Sequence, residues 1–413
     1  MPFEEIKKSA YAPKSKPNLA DYSKTRHGFD WFRDAFSKMD WLPGGGLNNA
    51  YEAVDRHVAH GHGDRLAMIW AGKNGEDERY TYAQFKQESD KFGAVLNGLG
   101  IERGDRVMIF VDRLPETYFA SMGALKAGGV IAPLFSAFGP DPVRDRMADC
   151  EAKFLVTTPE LRRKISGIFK DLPKLRHIIV VNKNGRSKEP LAKGDLSYEE
   201  LVSKADASKF QLTNTTQFDF AIMHYTSGST GKPKGVMHRH QAVVQQWITG
   251  RWCLDLKPED VYWCTADPGW VTGTSYGMMA PWTNGVTQLI YEGGLSAGRW
   301  YDLIDKHKVT VWYTAPTAIR MLMRSGSSPA SASRSTRRPS SGAPRTTRCP
   351  STTTGGRRRP GRSCAPTTPA WTSGPVRWAG RSQALRWESL MTHTTRSAPV
   401  SPACSPCAPA GRR

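Results

Sequence analysis

The sequence predicts an α/β fold, with mostly parallel sheets covered by helices, followed by a disordered tail. Three observations lead there. Short apolar runs alternate with helical stripes over the first 324 residues, the pattern of strand–helix–strand units. The apolar runs are continuous rather than alternating, as in strands buried on both faces. After Arg324 the composition changes abruptly.

The elements follow in order. Phe85, Phe92, Leu96 and Leu99 fall on one helical face of residues 82–99. Gly104-Asp105 then leads into a buried-strand run, Arg106 to Val111. Pro115 and Glu116 open a second helix, which ends near Lys126-Ala127-Gly128-Gly129. Further strands are expected at residues 130–134, 154–158, 178–181, 288–291 and 310–313. No internal repeat is visible.

The charge divides along the same line. The chain carries 58 Lys plus Arg and 38 Asp plus Glu, a net of +20. Residues 325–413 hold 15 Arg, no Lys and a single acidic residue, Glu388, so +14 of that net lies in the tail. The first 324 residues are close to balanced. The tail also has no Ile, Phe, Tyr, Asn or Asp, and it holds 12 of the 28 prolines. Such a segment cannot bury enough apolar surface to offset chain entropy, so disorder is expected. An Arg-rich tail centred on Arg357-Arg358-Arg359 could bind nucleic acid, but a different origin, given below, explains more.

Several classes fall away. No run of about 18 apolar residues is present, so no transmembrane helix is expected, and the polar N-terminus does not read as a secretory signal. Cys150, Cys253 and Cys264 are too dispersed for a disulfide framework and fit a reducing cytoplasm. Cys404 and Cys407 form a lone CxxC with no second ligand pair in register, so no metal site is expected there.

The strongest chemical signal is Tyr225-Thr226-Ser227-Gly228-Ser229-Thr230-Gly231-Lys232-Pro233-Lys234-Gly235-Val236. A strand end, Phe220 to Met223, precedes it, and a helix is expected over His240 to Thr249. Glycines let backbone N–H groups approach an anion closely. Thr226, Ser227, Ser229 and Thr230 add hydroxyl donors, and Lys232 and Lys234 add positive charge. The motif is not a Walker A loop, because Gly228 and Gly231 are only three apart and Pro233 follows Lys232. A simple hairpin loop is the bland alternative.

This segment resembles the signature of the AMP-forming acyl-adenylate synthetases. Leu125-Lys126-Ala127-Gly128-Gly129 with Pro133-Leu134 resembles a second motif of that family. Residues 262–273 (YWCTADPGWVTG) and 312–320 (WYTAPTAIR) resemble the acetate–CoA ligase branch. So do Phe29-Asp30-Trp31 and Leu47 to His57, in that branch's N-terminal extension. The likeness runs from about residue 20 to 324. It implies an incomplete large N-terminal domain of the acyl-adenylate-forming fold. Residues 1–60 would be the extension, 61–324 a partial AMP-binding domain and 325–413 the disordered tail.

The implied chemistry is a two-step ligation. Acetate attacks the α-phosphate of ATP to give acetyl-AMP and pyrophosphate, and the CoA thiolate then displaces AMP. By family position, Thr226 to Thr230 and Lys232 would hold the β- and γ-phosphates. Trp270, Val271 and Thr272 would line the acyl pocket, with core packing as the alternative. Asp267 reads equally as a turn residue. Arg162 and Arg163 read as a solvated helix face rather than as CoA contacts. Propionate or a similar short acid is the rival substrate, and an inactive scaffold with a nucleic-acid-binding tail is the rival of another class.

The family's later motifs are not present as the chain reads: a Gly-Glu-Pro adenine segment, a Trp-Trp-x-Thr-Glu magnesium segment, a ribose Asp, and a small C-terminal domain with a catalytic lysine. The genetic code offers an explanation. In an alternate frame Trp378-Ala379 and Trp387-Glu388 must each give Gly, and Trp371-Thr372 and Met391-Thr392 must each give Asp. With permitted codons, residues 329–342 can encode SVGEPLNPEAVVWG and residues 354–361 WWQTETG. The expectation is a frameshift near Arg324 and a chain not competent for full turnover.

Overall fold

The computed structural model describes residues 16–226, 233–326 and Arg345–Thr346. The strands are β1 (Leu66–Ala71), β2 (Asp77–Thr81), β3 (Arg106–Phe110), β4 (Val130–Pro133), β5 (Phe154–Thr157), β6 (His177–Val180), β7 (Leu196–Ser197), β8 (Phe220–Thr226), β9 (Lys234–Arg239), β10 (Val261–Cys264), β11 (Thr287–Tyr291), β12 (Val311–Tyr313) and β13 (Arg345–Thr346). They form two sheets. One has the order β13-β12-β10-β11-β1-β2, the other β7-β6-β5-β3-β4-β8-β9. All described pairings are parallel except β1–β2 and β8–β9. The α/β expectation therefore holds, and every strand read from an apolar run is present within a residue or two of its expected limits.

Strand pleating explains why both faces are apolar. Successive side chains point to opposite sides. Val107 and Ile109 enter a cluster shared with Met68, Trp70 and Ile290 of the other sheet, whereas Met108 and Phe110 pack outward. The helices Tyr82–Gly98 and Pro115–Lys126 contribute Phe85, Phe92 and Phe119 to the inner cluster. The helix Pro140–Asp149 covers the outer face of the seven-stranded sheet through Val143 and Met147. The helix Ala297–His307 covers the other sheet through Trp300, Leu303 and Ile304. A capping box opens Tyr82–Gly98: Thr81 accepts from the Gln84 N–H, and the Gln84 side chain accepts from the Thr81 N–H. Among the described residues no helix is long and apolar enough to cross a membrane.

The segment before β1 is built into this core. Ala50, Ala53 and Val54 lie in the inner cluster. Asn48 Nδ2 donates to Leu125 O at 2.8 Å, and Asn49 N donates to His240 Nδ1 at 2.9 Å. Asp55 reaches Lys126 Nζ at 2.5 Å, and Lys126 also meets Asp90 at 2.7 Å and Ser89 Oγ at 2.9 Å. Lys126 is fully buried. In the sequence it was one letter of a motif; in the fold it is the buried cation that ties three segments together.

One sequence expectation needs correction. The loop after Tyr225 does not lead directly into a helix. Val236, Met237 and His238 belong to β9, which returns antiparallel to β8 in the register Tyr225↔Gly235 and Thr226↔Lys234. The following helix begins only at Ala242. The reason is tertiary. Met237 packs with Met223 and Tyr225 against the outer cluster, and this pairing extends the sheet edge. β8 and β9 thus form a hairpin joined by residues 227–232, and no described helix follows that segment before Ala242.

Candidate active site

The candidate site gathers at the C-terminal ends of β4, β8 and β10, where ligands of parallel sheets bind. From β8, Thr226 and its cross-strand partner Lys234 are both exposed at the hairpin neck. Ser227, Gly228, Ser229, Thr230, Gly231 and Lys232 lie outside the described residues.

The neck is anchored from below by Tyr225. Its hydroxyl donates to Asp149 Oδ2 at 2.8 Å, with the Arg146 carbonyl as a second acceptor in reach at 3.0 Å. Burial, reinforced by Cys150 and Asp149, pushes the phenol well above its ordinary pKa, so it stays protonated and donates. A Cβ on Gly235 would lie 2.1 Å from Met223 Cε, so glycine lets the returning strand lie close against that side chain.

The residues expected to wall the acyl pocket sit after β10. Trp270 is 47% exposed and Val271 40%, so core packing does not account for either. Trp270 and Val271 start the short helix Val271–Thr274, and Thr272 is half-buried. Asp267 is the turn residue that precedes them. Its carboxylate accepts from Gly269 N at 2.9 Å and its carbonyl from Trp270 N at 3.0 Å. Burial raises the Asp267 pKa, with the Gly269 N–H opposing it.

Two glycines place this turn. A Cβ on Gly269 would meet Phe135 N at 2.2 Å, and one on Gly273 would meet Asp267 O at 1.9 Å. Both obstacles are backbone, so neither can swing aside. Gly269 lets the Trp270 turn lie against the end of β4, and Gly273 lets the turn close on its own Asp267 carbonyl. Gly273→Ala should therefore destabilise the fold by about 1–3 kcal/mol, the usual cost of overpacking. Urea denaturation measures it, and an unchanged midpoint would refute the close approach.

Two of the segments that resembled the acetate branch, 262–273 and 312–320, meet directly. Thr265 N donates to Tyr313 O at 3.0 Å, and the Thr265 and Thr314 hydroxyls lie 2.7 Å apart. The pocket wall and the loop neck are also connected. The Trp270 ring lies 5.8 Å from Phe135 and 6.3 Å from Phe138. The Arg146 guanidinium sits 4.5 Å from the Phe138 ring centre and 5.6 Å from that of Tyr225. Sequence reasoning missed Arg146, Phe135 and Asp149, because no local pattern marks them. Only the β4–β8 adjacency, Ile131↔Ile222, brings the helix Pro140–Asp149 beneath Tyr225.

The reading of Arg162 as a solvated face is corrected. Arg162 Nε lies 2.8 Å from Asp195 Oδ2, and its guanidinium stacks 4.0 Å from the Phe169 ring centre. Arg163 is exposed and pairs with Glu189. Among the described residues no group of three or more His, Cys, Asp or Glu side chains could hold a metal ion. The carboxylates near the site are committed, Asp149 to Tyr225 and Asp267 to its own turn, so the described residues offer no magnesium cradle.

Two mostly parallel sheets covered by helices, with the segment 227–232 of Ser, Thr, Gly and Lys joining β8 to β9, are the frame in which the family match falls. The AMP-binding enzyme family matches residues 55–360, and the chain belongs to that family. The match extends past the compositional boundary at Arg324.

Within the family the relatives are specific. The chain is 46% identical over 310 residues to an acetyl-coenzyme A synthetase of Bacillus subtilis (strain 168), covering 75% of this chain and 53% of that protein. It is 39% identical over 321 residues to an acetyl-coenzyme A synthetase of Rubrobacter xylanophilus, covering 72% and 50%. The chain spans about half the length of the curated relatives it matches. Among solved structures, the Brucella canis acyl-CoA synthetase superposes with a TM-score of 0.68 at 29% identity, covering 75% of this chain and 54% of that one.

Proposed function

We propose that the chain carries the carboxylate-activating part of an AMP-forming acetate–CoA ligase. The observation that supports this reading most is the link between the hairpin neck at Thr226 and the exposed Trp270 turn, through Tyr225, Arg146 and Phe138.

In this reading the loop Thr226 to Lys232, with Lys234, holds the β- and γ-phosphates of ATP. Trp270, Val271 and Thr272 wall the acetate methyl and exclude water. An acetate oxygen attacks the α-phosphorus, the bond to the bridging oxygen breaks, and pyrophosphate leaves with that electron pair. The thiolate of CoA then attacks the acetyl carbon and AMP departs. Charge builds on the phosphoryl oxygens during the first step. Preorganised N–H, hydroxyl and ammonium donors favour that state over the ground state. Magnesium would shield the triphosphate charge, but the described residues do not fit it and no step here depends on their doing so.

Residues 1–60 act in this proposal as an extension, 61–324 as a partial AMP-binding domain, and 325–413 as an out-of-frame tail. Sequencing the gene around Arg324 tests the frame directly. With the frame restored, acetate-dependent ATP–pyrophosphate exchange is expected, and the 413-residue chain should release no acetate- and CoA-dependent AMP. Stronger exchange with propionate than with acetate would move the substrate assignment. Exchange with no acid at all would end the reading.

A further inference from the structure

The end of the seven-stranded sheet away from the candidate active site carries a cavity of its own. Its volume is about 320 Å³, and Arg103, Gly104, Phe218, Asp219 and Phe220 line it. Phe220 opens β8, and Arg103-Gly104 precede β3, so the cavity lies at the amino-terminal ends of parallel strands. Thr226 stands at the far end of β8, about 20 Å away for a strand of seven residues.

The turn before β8 is closed by side chain and backbone together. Thr216 N and the Thr216 hydroxyl donate to Asp219 Oδ2 at 2.5 and 2.8 Å, and Asp219 N donates to Thr216 O at 3.2 Å. Phe218 rides on this fixed turn and is 59% exposed, and Phe220 is 44% exposed. Apolar side chains exposed singly need no explanation, but these two rings wall one cavity and share one cation. The Arg239 guanidinium, opposite Phe220 in the β8–β9 register, lies 5.9 Å from the Phe218 ring centre and 5.8 Å from that of Phe220. It makes no hydrogen bond or ion pair among the described residues. Arg103, by contrast, is neutralised by Asp219. The site therefore offers two ring faces and one uncompensated positive charge.

We propose that this cavity binds a small aromatic carboxylate, one ring bearing one acidic group. The ring packs on Phe218 and Phe220, and the carboxylate takes charge-assisted N–H bonds from Arg239. The volume falls at the lower end of the range of ligand pockets, about 300–1,000 Å³, which suits a single ring. An aliphatic acid would satisfy the charge and leave the rings in water, and a neutral aromatic would do the reverse. The assignment stands apart from the ATP reading, because the length of β8 separates the two sites.

The test is a ligand-observed NMR titration of benzoate against the 413-residue chain. Saturable binding is expected, with a dissociation constant of about 1 mM or below. Benzyl alcohol, which lacks the charge, and acetate, which lacks the ring, should bind at least about tenfold more weakly. Arg239→Gln and Phe218→Ala should each weaken benzoate about tenfold or more. Trp270→Ala, at the other end of the sheet, should leave it within about twofold. Absence of saturable benzoate binding overturns the proposal, as does equal affinity for benzyl alcohol or acetate. A loss in Trp270→Ala with none in Arg239→Gln would put benzoate at the Trp270 turn and also overturns it. AMP that displaces benzoate, binds more tightly and is itself lost in Arg239→Gln overturns the carboxylate class in favour of a nucleotide. Should Arg239→Gln lose its near-ultraviolet circular dichroism, the three-ligand comparison on the unaltered chain still decides.

Discussion

Lys126→Met should lower the unfolding free energy by about 3–5 kcal/mol, the cost of stripping the partner from a buried ion pair. Lys126 is fully buried, and its ammonium lies 2.5 Å from Asp55 and 2.7 Å from Asp90. Asp90 keeps Lys86 at 2.5 Å, so the uncompensated charge falls on Asp55. Burial already holds the Asp55 carboxyl above its ordinary pKa of 3.8, with Lys126 opposing the rise. Without Lys126 that pKa climbs further. A raised carboxyl contributes stability below its unfolded-state pKa and loses it as pH rises through the folded-state value. The deficit of the variant should therefore narrow as pH falls towards 3.8. Adding Asp55→Asn to Lys126→Met should recover a large share of the loss at neutral pH. Urea titrations at two pH values measure all of this. A deficit independent of pH would show that lost packing, not lost charge, is responsible.

The same residue shows what could be read in advance. The stripe at Phe85, Phe92 and Leu96 and the run Val107–Phe110 reported a helix and a buried strand, because burial on a fixed period leaves a local pattern. Lys126 was visible only as a motif letter, since its partners Asp55 and Asp90 lie 71 and 36 positions earlier in the chain. The hairpin was misread for a related reason. Residues 234–239 become a strand by pairing with β8 and packing Met237 on Met223 and Tyr225, contacts that no short window contains. Arg146 carried no signal at all. By contrast, Gly269 and Gly273 lay in a quoted motif, and their meaning, two backbone approaches to within van der Waals contact, emerged only from the fold.

The largest functional effect is expected at Lys232. In the frame-restored chain, Lys232→Ala should lower acetate-dependent ATP–pyrophosphate exchange about 10²–10³-fold in kcat, the usual cost of one preorganised transition-state donor. The argument is one of charge. In the proposed reading Thr226 and its neighbours offer neutral hydrogen bonds, worth about half those made by an ionised donor. The lysines flanking Pro233 are then the loop's own positive charges. Lys234 sits in β9 opposite Thr226 and is exposed, so Lys234→Ala should cost about tenfold or less, as for a charge screened by solvent. Lys232→Arg should recover little, because a planar fork does not replace a compact ammonium. Pyrophosphate exchange separates these cases, since it reads the adenylation step without CoA. Equal losses at both lysines would move the phosphate contact to the neck, and no loss at either would remove the triphosphate from this loop altogether.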